Sequence, residues 1–211
     1  VYKRQEQFAP LTYERIIKAD IESIPEHNGH GNALAQVYNH IIMPLANEED
    51  KQTQVKWGIR DFEYRFGRKP EGMWLAETAV DDDTLRVLEE NGIKFTILSP
   101  YQAAKFRKKG EKEWTDVSWG NIDPARSYRY YIKSAPGKYI DLFFYDGAIS
   151  RSVAFDELLK DGNKFSKRLK EGVSECRDYP QLINIATDGE SYGHHTNCLL
   201  YTSPSPRDRS L

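Results

Sequence analysis

The chain is poor in sulfur, in long apolar runs and in charge of one sign, and each shortage excludes something. Two cysteines, Cys176 and Cys198, form neither a disulfide framework nor a paired metal-ligand spacing, so a reducing, cytoplasmic compartment is expected. No apolar stretch approaches the roughly 20 residues of a membrane span, no signal-peptide core opens the chain, and no membrane partner is expected. Thirty basic against 32 acidic residues leave a net charge of −2, which provides no field for a nucleic-acid partner. No H-x-x-x-H or H-E-x-x-H spacing and no repeat of fixed period is present. What is present is 39% hydrophobic residues, enough for a packed core in 211 residues, and 12% aromatics, which fill cores and also line sugar clefts. Residues 1–5 (VYKRQ) and 198–211 (CLLYTSPSPRDRSL) lack periodicity, and the second is a Ser/Pro/Arg string that cannot pack. Both are read as foreign ends, which leaves residues 6–197 as the folding part.

The rest of the chain can be placed around residues 71–80, EGMWLAETAV. A turn signal, Lys69-Pro70-Glu71-Gly72, precedes the short apolar run Met73-Trp74-Leu75-Ala76, and a helix start follows within a few residues. So short a run between a turn and a helix fits a parallel strand covered on both faces. Glu77 then stands at the strand's C-terminal end, where α/β folds collect catalytic groups; opening the next helix is its plainer use.

In chain order, helices are expected over residues 12–24, over 33–44 with His40 in the last turn, and from an Asn47 cap to Phe66 before Gly67. Asp81 or Asp82 caps a helix that Asn91-Gly92 ends, and residues 93–98 form a strand; strand, helix, strand in that span predicts a parallel crossover. A basic helix is expected over 101–109, then a β-hairpin of 128–133 and 139–145 around Ser134-Ala135-Pro136-Gly137. Helices over 153–159 and 165–173 lead to a buried strand, 182–187 (LINIAT), that ends in Asp188-Gly189-Glu190.

Three expected strands thus finish in acidic turns, at Glu77, Asp146 and Asp188 with Glu190. Two carboxylates across a cleft are what glycosidic cleavage requires, one attacking the anomeric centre and the other holding the leaving group's proton. Oxygen ligation of Mg²⁺ or Ca²⁺ is another use of such acids. His194-His195, with His30, His40 and Asp188, offer a second chemistry, a metal site like that of a polysaccharide deacetylase. Hydrogen bonding of sugar hydroxyls by these imidazoles is the preferred reading, and a carbohydrate-binding domain without catalysis is the alternative outside enzymes.

Four stretches, GHGNALAQVYNHIIMPLA (residues 29–46), WGIRDFEYRFGRKPEGMWLAETAVD (57–81), FFYDGAISRSVAF (143–155) and ATDGESYGHH (186–195), together resemble glycoside hydrolase family 57. The likeness is closest to a bacterial branch that carries an uncharacterised C-terminal domain. The resemblance implies an α/β fold, a partial (β/α)7 barrel (an incomplete TIM-like barrel) with a β-hairpin insertion, over residues 6–197. It also implies retaining chemistry on α-glucan oligo- or polysaccharides, by hydrolysis or transfer, with no cofactor and no metal. The W-L-x-E motif falls on Trp74, Leu75, Ala76 and Glu77, which makes Glu77 the match for the nucleophile. The strand-end acid motif falls on Thr187-Asp188-Gly189-Glu190, which makes Asp188 the match for the general acid/base. His30, His40, Trp74, Asp146, Glu190 and His194 complete the expected sugar-contacting set. Two family patterns are not matched: the opening His-Gln-Pro motif has no counterpart, and Gly31-Asn32-Ala33-Leu34 lacks the Glu of G-N-x-E.

Overall fold

Pro10 opens the helix α1 (Pro10–Ser23) at a position where a missing N–H costs no hydrogen bond. The computed structural model describes residues 6–192. Within them the chain divides into two units, residues 6–96 with 129–141 and residues 97–128 with 142–192. Helices and strands alternate as far as Leu98 and antiparallel pairs follow, a mixed α/β arrangement, and no helix among the described residues is long and apolar enough to cross a membrane.

In the first unit, Asp20 of α1 is buried, and Arg68 grips its two carboxylate oxygens at 2.8 and 3.0 Å while the Ala33 N–H donates to it at 2.7 Å. Burial acts to raise the Asp20 carboxyl, but these donors outweigh it and leave the group below its ordinary value. The clamp fixes the loop that feeds β1 (Ala35–Gln36). The helix expected over residues 33–44 is therefore a strand, an extended exit and a single 3₁₀ turn, Met43–Leu45. The β2 ladder claims the main chain here: the Ala35 N–H donates to Gly72 O at 3.1 Å and the Val37 N–H to Trp74 O at 3.4 Å. Burial alternates accordingly, with Ala35 and Val37 inside and Gln36 outside.

Asn47 caps α2 (Glu48–Phe66) by accepting the Asp50 N–H at 2.8 Å, and three acids in the first turn suit the helix dipole. Val55, Phe62 and Phe66 face the core. The helix lies so close to β1 that a Cβ on Gly58 would fall 2.1 Å from Gln36 O. β2 (Met73–Trp74) runs parallel to β1, with Ala35 opposite Met73 and Gln36 opposite Trp74. Asp81 caps α3 (Asp82–Glu90), accepting the Thr84 N–H at 2.7 Å and the buried Lys51 ammonium at 3.0 Å. The chain then returns in β3 (Phe95–Leu98), bridged in parallel to Gly72, as the crossover pattern predicts.

The basic helix expected over residues 101–109 does not form. Pro100 starts a 3₁₀ turn, Pro100–Gln102, and β4 (Lys105–Phe106) then pairs antiparallel with β5 (Thr115–Asp116). A helix would set Lys105 against Lys109 at i,i+4, whereas here Lys105 and Arg107 stack on the Trp114 ring at 5.2 and 5.0 Å. The hairpin does form: β6 (Ser127–Tyr131) turns into β7 (Tyr139–Phe144), with the Ile132 N–H on Lys138 O at 3.1 Å. Strand order is β3-β7-β6. Lys94 O and Leu98 O accept the Asp141 and Tyr145 N–H groups, so residue numbers rise together and β3 and β7 are parallel.

In the second unit Asp146 caps α4 (Gly147–Phe155) and Asp161 caps α5 (Gly162–Lys170). Val153 and Leu159 form a small core with Leu158, Phe165 and Ile185. The strand expected over residues 182–187 is an extended segment without a ladder. Its main chain bonds piecemeal instead: the Leu182 N–H to Ala125 O at 2.9 Å, Asn184 O to the Asp146 N–H at 2.6 Å, and the Ala186 N–H to Ser150 Oγ at 3.1 Å.

Asp82 holds the hairpin turn onto α3. It accepts the Tyr130 hydroxyl and the Lys133 and Ser134 N–H groups, each at 2.8 Å, and the Ser134 hydroxyl. Burial opposes ionisation, yet these four donors bring its carboxyl down from 3.8 to about 2. A depressed carboxyl stabilises the fold above its unfolded value and ceases to do so as pH falls through its folded value. Asp82→Ala is expected to cost about 1–2 kcal/mol at neutral pH. In urea titrations the difference from the parent should be constant above about pH 4 and vanish towards pH 2.

Candidate active site

Parallel β1 and β2 deliver their C-terminal ends to the same edge, and two of the expected site residues, Glu77 and His40, emerge there. Leu75 and Ala76 are buried, and the chain then turns sharply through Ala76–Thr78 so that the Glu77 side chain is 71% exposed. Glu77 has φ 54° and ψ 20°, and Thr78 also has φ 54°. Two successive left-handed residues, neither of them glycine and one β-branched, store about 1–3 kcal/mol each. The turn is held by the Thr78 N–H on Leu75 O and the Ala79 N–H on Ala76 O, both at 3.0 Å, and by the buried Thr78.

His40 leaves β1 opposite this turn, with its Nε2 at 3.1 Å from Glu77 Oε1. An ionised carboxylate only accepts, so the proton of that bond lies on Nε2. The exit from β1 is steered by Gln54 of α2, whose main-chain carbonyl takes the Tyr38 N–H at 3.2 Å and whose amide oxygen takes the Asn39 N–H at 2.7 Å. Tyr38 meets Trp57 edge to face at 5.3 Å, and both rings are partly exposed. Neither ring stands out from sequence, because a helical reading of residues 33–44 makes Tyr38 an ordinary apolar-face residue. Trp74 is half-buried on β2.

His30 does not join this edge. Its Nδ1 lies 2.6 Å from Glu71 Oε2, and Lys94 holds Glu71 Oε1 at 2.7 Å. Glu71, held below its ordinary value first by Lys94 and then by His30, precedes β2 whereas Glu77 follows it, so His30 and His40 lie at opposite ends of the strand pair. The metal set that would join these two histidines is not assembled. Among the described residues no group of three His, Cys, Asp or Glu is placed to hold an ion. His194 and His195 lie outside the described residues.

In the second unit, the Asp146 carboxylate caps α4, accepting the Ile149 N–H at 2.9 Å. Asp188 heads the 3₁₀ turn Gly189–Ser191; its carbonyl takes the Ser191 N–H at 3.0 Å and its exposed side chain makes no capping bond. Ser191 is buried and anchors the turn, while Glu190 is exposed. A cavity of about 100 Å³ between β1 and α2 is lined by Leu34, Gly58, Phe62 and Arg65 and reaches Tyr38. Asp61, Glu6 and Tyr13 satisfy its one cation, Arg65, which burial would push down and these partners hold above its ordinary value.

The fold recurs in solved enzymes. The chain superposes with a TM-score of 0.65 on the exo-type maltose-forming amylase of Pyrococcus sp. ST04, at 19% identity over 95% of this chain and 30% of that one. On the 4-alpha-glucanotransferase of Thermococcus litoralis the TM-score is 0.64, at 17% identity over 93% of this chain and 27% of that one. In sequence it is 26% identical over 152 residues to Alpha-amylase 1 of Dictyoglomus thermophilum, which covers 72% of this chain. The chain spans about a fifth of that curated relative's length. The model of Glycosyl hydrolase family 57 matches residues 12–202, and the chain belongs to that family.

Proposed function

We propose that the chain is part of an incomplete (β/α)7 barrel that cleaves or transfers the glycosidic bonds of α-glucans with retention of configuration. The observation that carries this reading is Glu77, an exposed carboxylate on a strained turn at the C-terminal end of a parallel strand, with His40 Nε2 at 3.1 Å from one oxygen. Strain of this kind persists where the surrounding structure over-determines it, and it concentrates at active sites. The names of the relatives, two amylases and a 4-alpha-glucanotransferase, supply the substrate class.

In this mechanism His40 fixes Oε1, and Oε2 attacks the anomeric carbon to form a glycosyl ester while the leaving oxygen departs. Asp188 is assigned the proton for that oxygen, and later takes one from the water or sugar hydroxyl that cleaves the ester. Tyr38, Trp57 and Trp74 present ring faces or edges to the apolar sides of the sugar. His30 has no part in it.

Glu77→Gln should lower turnover of maltooligosaccharide by about 10³-fold or more while glucan binding, read by calorimetry, is kept; undiminished turnover rules out Glu77 as nucleophile. Asp188→Asn should behave likewise, and Glu190→Gln should retain turnover; the reverse pattern assigns the acid role to Glu190. Glu77→Gly separates strain from ordinary packing. Glycine adopts the left-handed turn freely, so the inactive variant should gain about 1 kcal/mol in urea unfolding, and a loss of that size would show that the turn stores no strain.

A further inference from the structure

The second unit carries two aromatic side chains that packing does not explain. Trp119 is 87% exposed and sits with φ 64° in the 3₁₀ turn Ser118–Gly120. A left-handed backbone is a genuine outlier for so bulky a residue, and stability alone would favour Gly or Asn there. Tyr101, 72% exposed in the turn Pro100–Gln102, lies against this second turn: a Cβ on Gly120 would fall 3.2 Å from its ring. Both turns are firmly built. Ser99 and Gln102 cap the first reciprocally; in the second the Val117 N–H bonds Ala104 O at 2.9 Å and Asn121 Nδ2 bonds Ser118 O at 2.6 Å. Trp114 nearby in sequence is different, since Lys105 and Arg107 cover its ring. Among the described residues Trp119 has no ring, cation or hydrogen-bond partner.

We propose that Trp119 and Tyr101 form an α-glucan-binding platform on which glucosyl rings stack by their apolar faces. The proposal rests on the α-glucan reading above for its ligand class. Size decides against a protein partner: the two rings offer about 300–400 Å², less than half of the roughly 800 Å² per side of a stable interface, but enough for one or two sugar rings. Asp116 and Asn121 each spend one polar atom inside the turn, Oδ1 on the Ser118 N–H and Nδ2 on Ser118 O, and keep Asp116 Oδ2 and Asn121 Oδ1 for a sugar hydroxyl, which a hydrophobic peptide would not need.

Calorimetric titration of maltoheptaose into full-chain Glu77→Gln and Glu77→Gln/Trp119→Ala, alongside thermal unfolding, tests the platform. The expected result is a roughly 10-fold weaker affinity in the double variant, a thermal midpoint equal to or above the parent's, and partial recovery of affinity with Trp119→Phe. Affinity within twofold of the parent overturns the platform, as does a lowered midpoint, which would mark Trp119 as structural. If the Glu77-intact chain still cleaves maltoheptaose in those cases, only the platform falls. If no variant binds or cleaves maltoheptaose, the α-glucan reading falls with it.

Discussion

Two main-chain hydrogen bonds set the register on which the first unit depends. With the Ala35 N–H on Gly72 O and the Val37 N–H on Trp74 O, β1 and β2 are locked in phase, and the residues that follow each strand emerge side by side. A slip of one residue would turn Trp74 and Gln36 to the opposite faces and carry His40 out of reach of Glu77. Three contacts defend the register. Gly58 admits α2 against the Gln36 carbonyl, Gln54 catches the chain after β1, and Thr96 Oγ1 donates to Met73 O at 2.8 Å from the β3 side. Helix, strand and loop are thus tuned to one pair of side chains.

Much of this was legible in the residues. The caps Asn47 and Asp81, the stop at Gly67, the hairpin around Ser134 to Gly137 and the strand that ends before Glu77 all follow from local rules, because each depends on neighbours within a few positions. Asp146 shows how such a rule also misleads. An acid after a strand reads as a site residue, yet Asp146 Oδ1 accepts the Ile149 N–H as a helix cap, a use its position before Gly147 did not announce.

What could not be read was decided by distant partners. Residues 33–44 have a helical apolar spacing, but the free edge of β2 offers Ala35 and Val37 better hydrogen-bond partners than a helix with Pro44 at its end. The cations at 105–109 look like one face of a helix until the Trp114 ring and β5 appear opposite them. Segment 182–187 has the composition of a buried strand and none of its ladder, since a loop carbonyl, a helix cap and a serine take its polar groups. The backbone strain at Glu77 left no mark in composition at all. Only a φ angle reveals it.

The two glutamates that flank β2 show how differently the two ends of one strand place the same residue type. Glu71, before the strand, is held by Lys94 on one oxygen and His30 on the other, and its carboxyl lies below its ordinary value. A carboxylate with an imidazole on one oxygen and an ammonium on the other ties a loop junction together and has its charge already matched. Glu77, after the strand, has one oxygen on His40, and among the described residues no hydrogen-bond or ion-pair partner reaches the other. The sequence gives both the same residue type; the direction of the strand decides which faces a crowd of donors and which faces solvent from a turn the backbone would not otherwise adopt. Parallel sheets separate these duties by their geometry, because every strand enters at one edge and leaves at the other.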